Sequence, residues 1–148
     1  MFSKREVQEI YQYINDNPEA NIYLGCDSQR MKRKRVKFAT VLIVHGKNGK
    51  SRIFKDILFD KVVDAKLSRP FNRMLKEVIL VTELYTLLED VLIERDFEIH
   101  LDISEDKQKG SSVAAGAAKG MIFGIVGVEP VMKPFSWASS TVADKFSK

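Results

Sequence analysis

At 148 residues with 45% hydrophobic and 30% charged side chains, the chain has the size and balance of one globular domain with a full core, spanning 1–148. No run approaches the roughly 20 apolar residues of a membrane span, the charged start MFSKREVQEI has no apolar signal core, and the single cysteine, Cys26, excludes an internal disulfide, so a cytoplasmic setting is expected. The net charge of +4 is mildly basic, but its distribution is uneven: six of the eight residues 30–37 are Arg30, Lys32, Arg33, Lys34, Arg35 and Lys37.

Ser3 and Glu6 have the spacing of a capping box, and Val7, Ile10, Tyr11 and Ile14 follow on one helical face, which Asn17-Pro18 ends. Residues 22–27 read as a first strand, with Ile22, Leu24 and Cys26 on one side and Asp27 on the other. The basic turn leads to a second strand over 36–45. Asn48-Gly49 marks a tight turn into a third over 51–59, which makes an antiparallel meander. The basic cluster suits either a solvated hairpin tip or a contact with nucleic-acid phosphates. Asp27, at a strand tip, is either a turn former or a functional acid.

Residues 67–94 predict a long helix capped at or near Ser68, with Pro70 in its first turn. At about 100° per residue, Leu80, Val81, Leu84, Leu88 and Val91 fall close to Glu77, and Phe71, Leu75, Val78, Tyr85 and Leu92 widen the apolar arc. Arg69, Lys76, Glu83 and Asp90 form the polar stripe, so Glu83 is wet and Glu77 buried. A buried carboxylate needs a basic partner or a metal, and both readings stay open here. FEIHLDIS (97–104) is a fourth strand with Phe97, Ile99, Leu101 and Ile103 on one face, and Glu98, His100 and Asp102 on the other. Asp102 is either a loop cap or an acid at the strand end where α/β sheets bind ligands.

A polar loop then leads to a helix whose Gly116, Gly120 and Gly124 suggest close packing on the sheet. VEPVMKP reads as a short strand, and WASSTVADKFSK as a last helix carrying Asp144, by itself an ordinary surface acid. The element order α, βββ, α, β, α, β, α predicts a mixed five-stranded sheet with helices on both faces. If the first and fourth strands are parallel neighbours, Asp27 and Asp102 lie side by side. Acids converging on one point repel unless divalent cations sit between them, and oxygen ligands without a Cys or His cluster select Mg²⁺ or Mn²⁺.

The blocks LGCDSQ (24–29), HLDIS (100–104) and WASSTVADKFSK (137–148), with RMLKEV around Glu77, resemble the signature blocks of the YkuK-like ribonuclease H-like proteins, a family of predicted nucleases of bacteria and phages. The likeness runs through nearly the whole chain. It implies a ribonuclease H-like α/β fold with an extra N-terminal helix, and Asp27, Glu77, Asp102 and Asp144 as catalytic, metal-binding acids. A two-metal hydrolysis of phosphodiester bonds follows as the expected activity, on RNA, hybrid or structured DNA. Arg30, Lys32, Arg33, Lys34 and Arg35, with Ser28 and Gln29, are the expected nucleic-acid contacts. Cys26 departs from the small or hydroxyl residue expected before the first acid.

Two rivals remain. One is a non-catalytic nucleic-acid-binding module of the same fold, and the other a protein-interaction domain whose basic turn meets an acidic partner. His45 and His100 have no metal-site spacing, and His100 is expected to be structural. KGSS (109–112) lacks the upstream glycine of a nucleotide-binding loop, although the Ser111-Ser112 backbone is placed to hold a phosphate. Ser139 and Ser140 are candidate substrate contacts, and Trp137 has a core or lid role or stacks on a base.

Overall fold

The computed structural model describes residues 1–148. The first helix, α1 (Lys4–Asp16), begins as its sequence dictates. Ser3 Oγ accepts from the Glu6 N–H and Glu6 Oε1 accepts from the Ser3 N–H, both at 3.2 Å, so two otherwise unpaired donors are satisfied. Ile10 and Ile14 are its buried stripe. Arg95 closes the other end, donating to the carbonyls of Ile14 (2.8 Å), Asn17 (2.7 Å) and Ala20 (3.1 Å).

Three strands follow, β1 (Asn21–Arg30), β2 (Arg35–His45) and β3 (Ser51–Lys61). They form the expected antiparallel meander, and β4 (Phe97–Leu101) joins β1 in parallel, which gives the order β3-β2-β1-β4. The sheet has four strands, not five. The expected fifth segment makes one parallel bridge, His100 to Val131, with bonds from Leu101 N–H to the Val131 carbonyl (2.9 Å) and from Val131 N–H to the Ile99 carbonyl (2.8 Å). Pro130 and Pro134 flank it and have no N–H to donate, so no longer ladder forms. One further bond, Lys133 N–H to the Ile103 carbonyl at 3.0 Å, draws Lys133 alongside the end of β4.

Alternation divides the sheet as expected. Ile22, Leu24 and Cys26 of β1, Phe38 and Leu42 of β2, and Ile99 and Leu101 of β4 join the main core. There they meet α1, α2 (Phe71–Leu92) and α3 (Ala115–Val126). The opposite face carries Val41, Ile43 and Tyr23, covered by Ala138, Val142, Ala143 and Phe146. These last residues lie in a π-helical turn (Ala138–Ala143) that runs into α4 (Asp144–Ser147). Helices therefore cover both faces.

Three local expectations are revised. Ser68 does not cap α2: Pro70 holds the cap position, and the Asp64 carboxylate accepts from the Asn72 and Arg73 N–H groups instead. A carboxylate reaching across from the preceding loop does the work of a local hydroxyl and also complements the helix dipole. The glycines of α3 do not pack on the sheet. Gly116, Gly120 and Gly124 face open space, and the helix is held by Ala118 and Ile122, which have the side chains to bury. The fourth strand ends at Leu101, three residues short of the predicted end, although Ile103 is still buried in the core.

The close approach on the second face falls at Gly25. A Cβ there would stand 2.9 Å from the Ala138 carbonyl carbon and 2.9 Å from the Ser139 nitrogen. That is backbone, which has little room to give. Replacing Gly25 with Ala is expected to cost roughly 1–3 kcal/mol by overpacking. It should also weaken the near-ultraviolet circular dichroism of Trp137, because the final helical segment is pushed off the sheet; an unchanged spectrum and melting temperature would contradict this account.

Candidate active site

The strand register brings the first two acids together. The last pair of the parallel β1–β4 ladder is Cys26 with Leu101, so Asp27 and Asp102 follow it as neighbours one step farther along. Asp27 is 4% exposed, flanked by Ala39 on β2. Glu77 comes from the second turn of α2, which packs across β1, and is 3% exposed. Asp144 arrives from the other face, at the start of α4. All four predicted acids thus gather around Asp27, which lies within β1 and not at its tip, because pairing with β2 carries the strand on to Arg30. Asp102 and Asp144 stand close enough to Asp27 to influence its proton, and Asp27 and Asp102 both act on Glu77.

The final segment is seated by contacts that sequence reading left unassigned. The Ala138 N–H donates to His100 Nδ1 at 3.1 Å, and the Ser136 carbonyl accepts from the Ser139 and Ser140 hydroxyls at 3.0 and 2.9 Å. Ser139 and Ser140 are therefore engaged in holding the turn. The His100 ring is buried between Tyr23 and Trp137, with centroids 5.5 and 5.4 Å away, which makes it the structural residue expected. Trp137 stacks edge-on with Tyr23 and is partly exposed. Ser147 Oγ shares its hydrogen between Asp27 Oδ2 (3.2 Å) and the Asp144 carbonyl (3.1 Å).

Two ammonium groups meet the acids. Lys133 Nζ lies 2.9 Å from Asp102 Oδ1, and Lys148 Nζ lies 3.0 Å from Asp144 Oδ2. Lys133 is thus the partner of the otherwise unpaired Asp102 Oδ1. Neither carboxylate oxygen of Glu77 has a donor in good hydrogen-bond geometry, although the nearby Ser28 hydroxyl and the Arg73 charge both favour its ionised form. Arg73, one turn before Glu77, eases that burial by its charge but turns its Nη1 to the carbonyl (2.9 Å) and hydroxyl (3.1 Å) of Ser28. Ser28 is thereby buried and engaged, not presented to a ligand.

The electrostatics follow from this crowding. Burial first, then the charge of Asp102 and a hydrogen bond shared with Asp144, push Asp27 from 3.8 to about 8. Burial and the charge of Asp27 raise Glu77 well above the carboxylate range. Asp144 goes the other way: burial opposes its ionisation, but hydrogen bonds from Lys148 and Asp27 outweigh it. Asp27 and Asp144 therefore share one proton between unequal sites. As the side chains stand, no three His, Cys, Asp or Glu groups are arranged to hold one ion together. The donor set is nevertheless all oxygen, with the His100 nitrogens occupied by Ala138 and Glu98 and the Cys26 thiol in the core. Its two most deeply buried oxygens, those of Glu77, have no donor in good hydrogen-bond geometry. That chemistry fits a hard divalent cation.

Two grooves border the lysines that meet the acids, one at Lys148 and the other at Lys133. One, of about 860 Å³, is lined by Gln29, Arg30, Lys32, Arg33, Arg35 and Lys37 and ends at Ser147 and Lys148. Arg33 and Lys34 form the tip with φ values of 61° and 59°, and Lys34 turns to the opposite side, over Val62 and Leu67. Phe59 closes the groove floor beneath the Arg35 guanidinium, 5.0 Å above its ring. The other groove, about 650 Å³, sets Lys109 and Lys133 against the acids Glu105 and Asp106, with Ser111 and Ser140 beside them. Ser111 Oγ accepts from the Ser104 N–H at 3.0 Å, in a 3₁₀ turn that precedes α3.

A family model described as Ribonuclease H-like matches residues 5–148, nearly the whole chain. The chain belongs to the ribonuclease H-like family. The resemblance read from the LGCDSQ, HLDIS and WASSTVADKFSK blocks is borne out. No curated protein and no solved structure matches the chain. Membership ties this ribonuclease H-like chain to nucleic-acid-related function. No helix is long and apolar enough to cross a membrane.

The raised Asp27 sets a pH dependence. Between about 4 and 8 the folded chain holds a proton that the unfolded chain has released, so stability is greatest below the unfolded value and falls as pH rises through the folded one. Relative to Asp27→Asn, the melting temperature of the metal-free wild type should drop by several degrees from about pH 5 to about pH 9. A difference that stays level across that range would mean Asp27 is ionised throughout.

Proposed function

We propose that this protein is a metal-dependent nuclease that hydrolyses phosphodiester bonds of nucleic acid. The observation that carries the reading is an oxygen-only acid cluster around the buried Asp27 and Glu77, next to a basic groove that ends at Ser147 and Lys148. Asp27, Glu77, Asp102 and Asp144 would hold Mg²⁺ or Mn²⁺. The chemistry such ions supply is activation of a water and stabilisation of the leaving oxygen. Arg30, Lys32, Arg33, Arg35 and Lys37 supply positive charge along the backbone path. Gln29 offers an amide at the same wall, and the Phe59 ring an apolar surface. Arg73, by locking Ser28 to α2, keeps the tip of β1 in place under the acids. The buried face of the final segment keeps Asp144 over Asp27.

Asp27→Asn is expected to abolish Mg²⁺- or Mn²⁺-dependent cleavage across a panel of labelled RNA, hybrid and DNA substrates, a loss of at least about 10³-fold, while binding is retained. Full activity in that variant would end this mechanism.

A second reading is a binding module that retains the fold without hydrolysis, favoured by the ammonium groups on Asp102 and Asp144. It predicts salt-sensitive binding and no cleavage with either metal. Under both readings the basic groove carries the affinity. Arg35→Glu with Lys37→Glu should weaken binding strongly and reduce the slope of log K against log salt by about 1.4–1.8, the share of two phosphate contacts. An unchanged slope would place the nucleic acid elsewhere.

A further inference from the structure

We propose that Lys133 and Lys148 are resident counter-cations of the acid cluster that trade carboxylate for nucleic-acid phosphate when a divalent cation enters, so that cation and nucleic acid bind with positive coupling. The inference rests on the reading of the acids as a metal site. It does not depend on hydrolysis.

The acids are held inward and the lysines are not. Asp102 is 18% exposed and Asp144 33%, against 43% for Lys133 and 68% for Lys148. Such half-wet pairs contribute little to stability and open readily. Lys133 meets Asp102 at 2.9 Å from a half-exposed position, and the nearby Glu77 carboxylate, almost fully buried, has no donor in good hydrogen-bond geometry on either oxygen. The cluster is thus neutralised in part by groups that can leave, while its innermost oxygens stay unpaired. A divalent cation brings more charge to the same oxygens and displaces the ammoniums.

What the displaced lysines then face is fixed by where they sit. Lys148 borders the 860 Å³ basic groove, where Lys37 Nζ donates to its carbonyl at 3.1 Å, and Lys133 borders the 650 Å³ groove. Each can exchange a carboxylate for a phosphate of a strand that crosses the acids from one groove to the other. A phosphate that captures a lysine bares a carboxylate for the cation, and a cation that expels a lysine frees it for a phosphate. Linkage makes the two effects equal.

The test uses the full chain, Mn²⁺, and a short labelled oligonucleotide with phosphorothioate linkages that resist cleavage. Calorimetric titration should give Lys133→Met and Lys148→Met a Mn²⁺ affinity roughly three- to tenfold above wild type, because the competing ammonium is gone. Lys50→Met, at the turn on the far end of the sheet, should match wild type. Fluorescence anisotropy should show Mn²⁺ tightening oligonucleotide binding by about fivefold or more in wild type and not in the double lysine variant. If wild type binds Mn²⁺ but the lysine variants bind it no more tightly, if Lys50→Met gains as much, or if the double variant keeps the coupling, the exchange is refuted and the metal site stands. If no form binds Mn²⁺, the metal reading itself falls, and the exchange with it.

Discussion

Carboxyl groups crowded at one end of a sheet repel one another, and the rest of this structure answers that constraint. Asp27, Glu77 and Asp102 converge because β1 and β4 run parallel in register and α2 crosses β1; Asp144 is added from the opposite face. The charge is met in three ways. Burial pushes Asp27 and Glu77 toward their neutral forms, helped by Asp102 at Asp27 and by Asp27 at Glu77; Asp144 and Asp102 are met by Lys148 and Lys133, and Ser147 gives Asp27 a hydrogen bond. The two Glu77 oxygens still have no donor in good hydrogen-bond geometry. A core built for stability alone would have no reason to keep them, since each unpaired buried oxygen is costly.

The scaffold follows from the same demand. The second face of the sheet is narrow and is closed by a short segment that must lie almost against the strand. Gly25 permits the approach, and His100 anchors it through the Ala138 N–H. The π-helical turn is where Ser136 gathers the Ser139 and Ser140 hydroxyls, and it sets the phase at which Asp144 emerges. Ribonuclease H-like membership ties the chain to nucleic-acid-related function. The basic groove ends at Ser147 and Lys148, the residues that meet Asp27 and Asp144.

Sequence patterns were most informative where periodicity meets a thick core. The 3.6-residue arc around Glu77 predicted its burial and the wetness of Glu83, and both hold, because α2 has one broad apolar face and little freedom to rotate. Alternation sorted β1 and β4 correctly for the same reason. The α3 glycines misled: their spacing suits close packing, yet the helix is fastened by its larger side chains and turns the glycines outward. Hydrophobic gain belongs to residues with surface to bury. The fifth strand was overread because VEPVMKP has apolar residues in extended chain, but its prolines remove the donors a ladder needs.

By itself, the sequence determined the meander, the long amphipathic helix, the side of the strand on which each acid lies, and the family, since these depend on local period and on short contiguous blocks. Only the tertiary structure decided which cations meet the acids. Lys133 comes from a segment joined by a single bridge, and Ser147 and Lys148 from a helix folded over the far face, so nothing in their spacing announces that they end beside Asp27, Asp102 and Asp144. The same holds for Gly25, whose role appears only once Ala138 is above it. Electrostatic and steric contacts of this kind depend on distance in space, and the chain encodes that distance only through the whole fold.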